Sequence, residues 1–281
     1  MKRLALILTI LVAAASCALS AADAPKRQGW RDDPLYGNVE SVTITSYSLK
    51  DSSGVLSRSK ISFKLCYNFN ESGDVTEVAG YNSDGLLSGK SIYKYDSQGN
   101  LTEASKYKSD GSLSVKAIYK YDSKGNLTEE VSYDSDGSLS IKCIYKYDTQ
   151  GNKTEGARYY SDGSLIWKYI YTYDTQGNKT EEAYYNSDGS LESKHAYKYD
   201  SKGNKTEEAE YKSDGSLIWK YIYKYDTQGN ITEIADYKSD GSLSRKFIYK
   251  YDSKGNITEI TIYDGELRPT SQIVYTIIYR K

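Results

Sequence analysis

Two tryptophans in this chain share one context. Trp167 and Trp219 sit in identical heptapeptides, Leu-Ile-Trp-Lys-Tyr-Ile-Tyr, at 165–171 and 217–223. Tyr169 and Tyr221 follow two residues later, on the same side of an extended strand. Indole and phenol rings stack on the C–H faces of sugars, and a neighbouring carboxylate accepts hydrogen bonds from their hydroxyls. Such carboxylates recur as a ladder of glutamates at 77, 103, 129, 155, 181, 207, 233 and 259. Trp167, Trp219, Tyr169, Tyr221, Glu155, Glu181 and Glu207 therefore make up a candidate ligand surface. The competing reading is structural: aromatic residues on a packed strand face fill a core, and tyrosine hydroxyls or water hold the glutamates.

Other chemistry lacks its residues. The one histidine, His195, occupies a strand position held elsewhere by Ala117, Cys143, Tyr169, Tyr221 and Phe247, which marks a packing slot. Asp134-Ser135-Asp136-Gly137 opens like a calcium loop, but the remaining ligands and the closing glutamate are missing, so it reads as a hairpin turn. No Cys/His cluster has metal spacing and no glycine-rich phosphate loop precedes a helix. The serines have no base partner in sequence. We expect no catalytic residue, no metal and no cofactor. The Asn-x-Thr triplets at 100, 126, 152, 178, 204, 230 and 256 match a glycosylation sequon, yet read better as Asn leaving a turn and Thr entering a strand.

The elements that carry these residues follow from a 26-residue period. Units start at Tyr67, Tyr93, Tyr119, Tyr145, Tyr171, Tyr197, Tyr223 and Tyr249, with no insertion or deletion. A fixed period of this length means a stack of supersecondary units that bury an apolar face only against neighbours. Within one unit, Asp96–Gly99 and Lys108–Gly111 are turns closed by glycine, and the Tyr-, Thr- and Ile-rich stretches between them alternate as strands. Even turn spacing places Leu101, Glu103, Ser105, Tyr107, Leu113, Val115, Ala117, Tyr119 and Tyr121 on a packed face. Thr102, Ala104, Lys106, Ser114, Lys116, Ile118 and Lys120 then form a wet one. This register pairs Tyr107 with Leu113, Glu103 with Ala117 and Ala104 with Lys116. It also sets Glu130–Lys142, Glu182–Lys194 and Glu208–Lys220 opposite one another on the wet face.

Residues 1–22 read as an export signal, with basic Lys2 and Arg3, an apolar run from Leu4 to Ala15 and small residues before Asp23. A second reading takes Ala14-Ala15-Ser16-Cys17 as a loose lipobox with lipidation at Cys17, the one link to a membrane. Either way the chain is exported: secreted, periplasmic or on the outer surface. Residues 23–36 form a linker, 37–66 a degenerate capping repeat, 67–265 the regular repeats and 266–281 a closing strand. Cys66 and Cys143 lie three units apart, roughly 30 Å in a simple meander, and read as small buried residues rather than a disulfide. The 37 basic and 38 acidic residues are spread evenly, so nucleic acid is not an expected partner. Thirty-one tyrosines against three phenylalanines suit a partly wet sheet.

The stretch Tyr119-Lys120-Tyr121-Asp122-Ser123-Lys124-Gly125-Asn126-Leu127-Thr128, recurring along the chain, resembles the Tyr-Asp repeat, also called the RHS repeat. That resemblance implies spiralling β-hairpin shells of the kind found in bacterial toxins and animal cell-adhesion proteins, and carbohydrate binding at cell walls. The chain lacks the Asp-Pro-x-Gly-Leu core that precedes the toxin tail of the large members. The expected fold is all-β, an antiparallel array of β-hairpins coiled into an open spiral or elongated shell. The expected function is non-enzymatic binding or adhesion at the bacterial envelope or cell surface, with a glycan or protein partner. Alternatives are a self-assembling envelope protein joined through its edge strands, or an accessory shell related to toxin systems.

Overall fold

A computed structural model describes residues 35–281. They form eighteen strands: β1 (Val39–Ser52), β2 (Val55–Phe69), β3 (Val75–Tyr81), β4 (Leu87–Tyr95), β5 (Leu101–Lys108), β6 (Leu113–Tyr121), β7 (Leu127–Asp134), β8 (Leu139–Tyr147) and β9 (Lys153–Tyr160), then β10 (Leu165–Tyr173), β11 (Lys179–Asn186), β12 (Leu191–Tyr199), β13 (Lys205–Lys212), β14 (Leu217–Tyr225), β15 (Ile231–Lys238), β16 (Leu243–Tyr251), β17 (Ile257–Asp264) and β18 (Pro269–Tyr279). Each pairs antiparallel with its neighbours in sequence, and β1 also pairs with β18 from Val39↔Tyr279 to Ser48↔Ser271. The sheet is a closed barrel.

Closure corrects the expectation of an open spiral. An even number of antiparallel strands brings the first and last into antiparallel contact once the twist has carried the sheet round. Pairing the two edges removes the exposed ladder that an open array must cap. The seam is latched at one rim. Asn256 accepts from Tyr36 N and donates to Tyr36 O and to the Tyr279 hydroxyl, while Arg280 donates to Phe69 O. The edges on which self-association rested are thus paired with each other. Beyond the Ser48–Ser271 pair, residues 49–58 continue as a hairpin arm whose strands pair with each other.

The repeated residues build this wall. Asp96 Oδ1 accepts from Gln98 N and Asn100 N at 2.9 Å, and Asn100 Nδ2 donates to Asp96 Oδ2 at 3.0 Å. Gly99 takes the positive φ of 83° that closes the turn. Tyr95 pairs with Leu101 but Lys94 pairs with Glu103, so Thr102 is a bulge residue, and its hydroxyl donates to Lys94 O. The carbonyl at the start of this bulge is also engaged: Tyr121, one hairpin further on, donates to Leu101 O. Tyr95, Tyr147, Tyr173, Tyr199, Tyr225 and Tyr251 repeat that bond at 2.7–2.9 Å. The Tyr-Asp-x-x-Gly-Asn-x-Thr signature is therefore a turn, a bulge and a latch between successive hairpins.

A second bulge corrects the predicted register. Tyr107 does pair with Leu113, but Lys106 pairs with Val115, Ala104 with Ala117 and Glu103 with Ile118. One extra residue at Ser114 slips everything beyond it by one place, and a one-residue slip moves a side chain to the opposite face. Glu103 and its repeats consequently lie outside the barrel, and Ala104, Glu130, Glu182 and Glu208 face inward.

The inner face is divided. Val42, Ile44, Leu65, Tyr67 and Phe69 pack with Ile273, Tyr275 and Ile277, and Phe247, Ile257, Ile260 and Ile262 extend this apolar sector. The remaining arc, from β7 to β16, carries charges and aromatic rings. Cys143 is buried in the wall against Leu127 and Tyr145, whereas Cys66 is half-buried and free. Replacing Tyr121 by Phe removes the donor to the Leu101 carbonyl and is expected to destabilise the barrel by about 1–2 kcal/mol. The control Tyr133→Phe, on the outer face, should change stability by less than about 0.5 kcal/mol. Urea midpoints of the two variants measure the difference.

Candidate functional site

Positions that recur in every unit are occupied with wall building. The inward positions that differ between units are free to carry function. One rung shows this best. It lies beside the Ser-Asp-Gly-Ser turns and pairs Lys106 with Val115, Ser132 with Ile141, Arg158 with Trp167, Tyr184 with Ser193, Glu210 with Trp219 and Asp236 with Arg245. Arg158 stands two residues before its turn and Trp167 three after it, so both line the mouth of the barrel at this rim.

The four aromatic residues of the predicted ligand surface all face inward here. Trp167 meets Tyr169 edge-on at 4.8 Å between ring centroids, and Tyr184 lies 5.0 Å from Tyr169 and 6.0 Å from Trp167. Trp219 lies 4.7 Å from Tyr221 and 5.4 Å from His195. These side chains are partly exposed. The two tryptophans differ in their surroundings. The Trp219 indole donates to Glu210 at 2.5 Å, whereas the Arg158 guanidinium sits 5.8 Å from the Trp167 ring centroid.

Glu155, Glu181 and Glu207 do not join this surface. They lie outside, each in an ion pair: Lys146–Glu155 at 2.8 Å, Lys194–Glu181 at 2.6 Å and Lys198–Glu207 at 2.8 Å. Their neighbours in the ladder are clamped between two lysines, as in Lys120–Glu129–Lys142 at 2.6 Å on both sides. Those hydrogen bonds hold the Glu129 carboxyl below its usual range. The predicted pairs Glu130–Lys142, Glu182–Lys194 and Glu208–Lys220 do not form, because the bulge sends these glutamates inward and leaves the lysines outside.

Inside, the glutamates meet a second ladder. Lys153 lies between Tyr145 and Tyr171, Lys179 between Tyr171 and Tyr197, and Lys205 between Tyr197 and Tyr223, each ammonium 4.6–5.8 Å from the ring centroids. Lys179 bonds Glu182 at 2.7 Å and Lys205 bonds Glu208 at 2.8 Å, and Tyr197 and Tyr223 donate to the same carboxylates. His195 faces Glu208 at 3.9 Å and Glu210 at 3.7 Å. Burial alone would raise the Glu208 carboxyl, but His195, Lys205 and Tyr223 outweigh it and bring it from 4.5 down to about 2. Burial, followed by the nearby Glu182 and Glu208 charges, pushes the Tyr197 hydroxyl well above its usual range.

The sequence reading missed Arg158, Tyr184, Glu210, Asp236 and Arg245, and it placed Glu208 on the wet face. The signal that finds the rung is variation at two paired positions, one holding Lys106, Ser132, Arg158, Tyr184, Glu210 and Asp236 and the other Val115, Ile141, Trp167, Ser193, Trp219 and Arg245. Lipidation at Cys17 and the export signal fall outside the described residues.

No curated protein matches the chain in sequence. A family described as "Protein of unknown function (DUF2963)" matches residues 107–156. Among solved structures, a porin-like protein from Bacteroides uniformis is similar at 12% identity and a TM-score of 0.47, over 87% of this chain and 99% of that one. The Photorhabdus luminescens Tc holotoxin pore is similar at 14% identity and a TM-score of 0.35, over 82% of this chain but only 14% of that one. A putative outer membrane lipoprotein-sorting protein domain from Vibrio parahaemolyticus aligns at 8% identity and a TM-score of 0.27.

The depressed Glu208 carboxyl makes a pH-dependent prediction. Its folded value of about 2 lies below the ordinary 4.5, so its contribution to stability is complete above about pH 4.5 and disappears as pH falls through about 2. Glu208→Gln should be less stable than wild type by about 2–3 kcal/mol at pH 7, with the gap closing toward pH 2. Urea denaturation at the two pH values gives the comparison, and a gap independent of pH would contradict the assignment.

Proposed function

We propose that this protein is a non-enzymatic binding barrel of the bacterial envelope that takes up a saccharide at the mouth carrying Trp167 and Trp219. The observation that carries this reading is the contrast between a constant wall and a variable inner rung. Six cross-strand pairs of different chemistry occupy equivalent places between turns and bulges that repeat from unit to unit. Trp167, Tyr169 and Tyr184 offer partly exposed rings, and Glu210 and Arg245 on the same rung offer partly exposed polar groups for hydroxyls. Aromatic faces beside a few placed polar groups are what a sugar ring requires. Export rests on the leader-like residues 1–22. A second role, a shell around another polypeptide, is favoured by the strand count. Barrels of 16–18 strands enclose more space than side chains fill.

A glycan screen on residues 23–281, beside the Trp167→Ala/Trp219→Ala variant, tests the binding role. Loss of at least tenfold in affinity is expected, with the variant's barrel intact by circular dichroism. Unchanged glycan binding would place the ligand elsewhere. Absence of any glycan binding, with a polypeptide co-purifying from the native host, would favour the shell.

A further inference from the structure

The charged inward pairs of the mouth rung are not equivalent. Arg245 donates to Asp236 at 2.9 Å, and Trp219 donates to Glu210 at 2.5 Å, so those pairs satisfy themselves. The Arg158–Trp167 pair does not. Arg158 has no hydrogen bond or ion pair among the described residues, and its Nε is buried without a partner. The counter-charge is missing from the neighbouring position too. Where Glu182 and Glu208 stand in later units, this unit has Gly156, flanked by the Tyr145 ring and the Tyr171 hydroxyl.

Burying a guanidinium nitrogen without an acceptor is costly, and no carboxylate faces inward on either strand of this hairpin, since Glu155 points outside to Lys146. Three aromatic rings frame it: Trp167 across the rung, with Tyr169 and Tyr184 5.0 Å apart beside it. The Trp167 indole N–H, unlike that of Trp219, has no partner among the described residues. The local set is thus a cation with a planar fork of donors, one further N–H donor, and ring faces for an apolar surface. A guanidinium binds a carboxylate through two parallel hydrogen bonds, stronger than neutral ones.

From this arrangement we infer that Arg158, Trp167, Tyr169 and Tyr184 form a subsite selective for an acidic saccharide, a pyranose bearing a carboxylate. The ring stacks on the aromatic faces and the carboxylate meets Arg158. Trp219, with its N–H committed to Glu210 and acidic neighbours, belongs to a part of the mouth that disfavours an anion. This assignment rests on the saccharide reading above and narrows it.

The test is calorimetric titration of residues 23–281 with trigalacturonate and with sialyllactose, each beside its methyl ester, at low and moderate salt. At least one acid is expected to bind roughly 10–100-fold tighter than its ester, the range of a charge-assisted hydrogen-bonded pair. Arg158→Gln should abolish that difference while leaving ester binding in place, and Trp167→Ala should weaken both forms. Equal binding of acid and ester by the wild type overturns the acidic selectivity but leaves the saccharide reading standing. No binding of any of the four overturns this subsite, and the wider glycan screen then decides whether the saccharide reading falls with it. Full competition by millimolar acetate alone would show a simple anion site and also overturn the inference.

Discussion

Two β-bulges per unit determine which residues see solvent and which see the lumen. Strand side chains alternate with period two, so each extra residue exchanges the faces for everything beyond it. Thr102 and Ser114, and their repeats, supply these extra residues. Without them the Lys-Glu ladder would point inward, where unpaired charge is expensive, and the inner glutamates would be spent on the surface. The bulges interrupt the ladder of backbone hydrogen bonds, and the repeated residues repair it. The threonine hydroxyl and the tyrosine from the next hairpin each engage a carbonyl there. The tyrosine does more than satisfy an acceptor, because it ties each hairpin to the one before it. Closure then supplies a partner to both terminal strands.

A wall held in this way separates two kinds of position. Asp, Gly, Asn and Tyr of the signature are engaged in turn and latch from the unit at Tyr93 onward, and in the first unit Asn70 and Asp74 exchange roles in the same turn. The inward rung next to the mouth makes no contribution to turn, bulge or latch. Its residues range from valine to arginine across units whose backbones superimpose in register. The same scaffold therefore presents a charge-balanced arc at Asp236–Arg245, an acidic one at Glu208–Glu210 and a cationic one at Arg158. Binding chemistry in such a barrel is a matter of which units are neighbours, and no unit alone makes a site.

Much of the fold was legible in the amino-acid order. The turn residues, the strand content and the antiparallel hairpin order follow from local chemistry, since Asp-x-x-Gly-Asn and Ser-Asp-Gly-Ser act within five residues. Closure was not legible, because it depends on the accumulated twist of eighteen strands and on the pairing of Val39 with Tyr279, 240 residues away. The faces were half legible. Trp167 and Trp219 fall on the packed side in either register because they share the parity of Ala117. Glu155, Glu181 and Glu207 do not, because they lie beyond a bulge, and nothing in the spacing of the turns reveals a bulge inside a strand. Cross-strand charge pairing was the right principle applied one residue out: the lysines expected to face Glu130 and Glu182 pair with Glu129 and Glu181 instead.

The outer face bears on where such a barrel can reside. Around its waist runs a single apolar rung, with Ile118 paired to Val131 and Ile144 to Ala157, between rows that contain Lys116, Lys120, Glu129, Lys142 and Lys146. A barrel in a bilayer needs an apolar band about 25 Å tall, and each lysine near the midplane costs about 2–4 kcal/mol. One rung of alternating side chains covers about 7 Å of strand. The ion pairs on either side are favourable only in contact with water, where their weak mutual attraction does not have to offset desolvation. The charged rows on the outside of this 18-stranded wall are thus matched to contact with water, and the interior is divided. Its apolar sector stiffens one side and its charged aromatic sector faces the space enclosed.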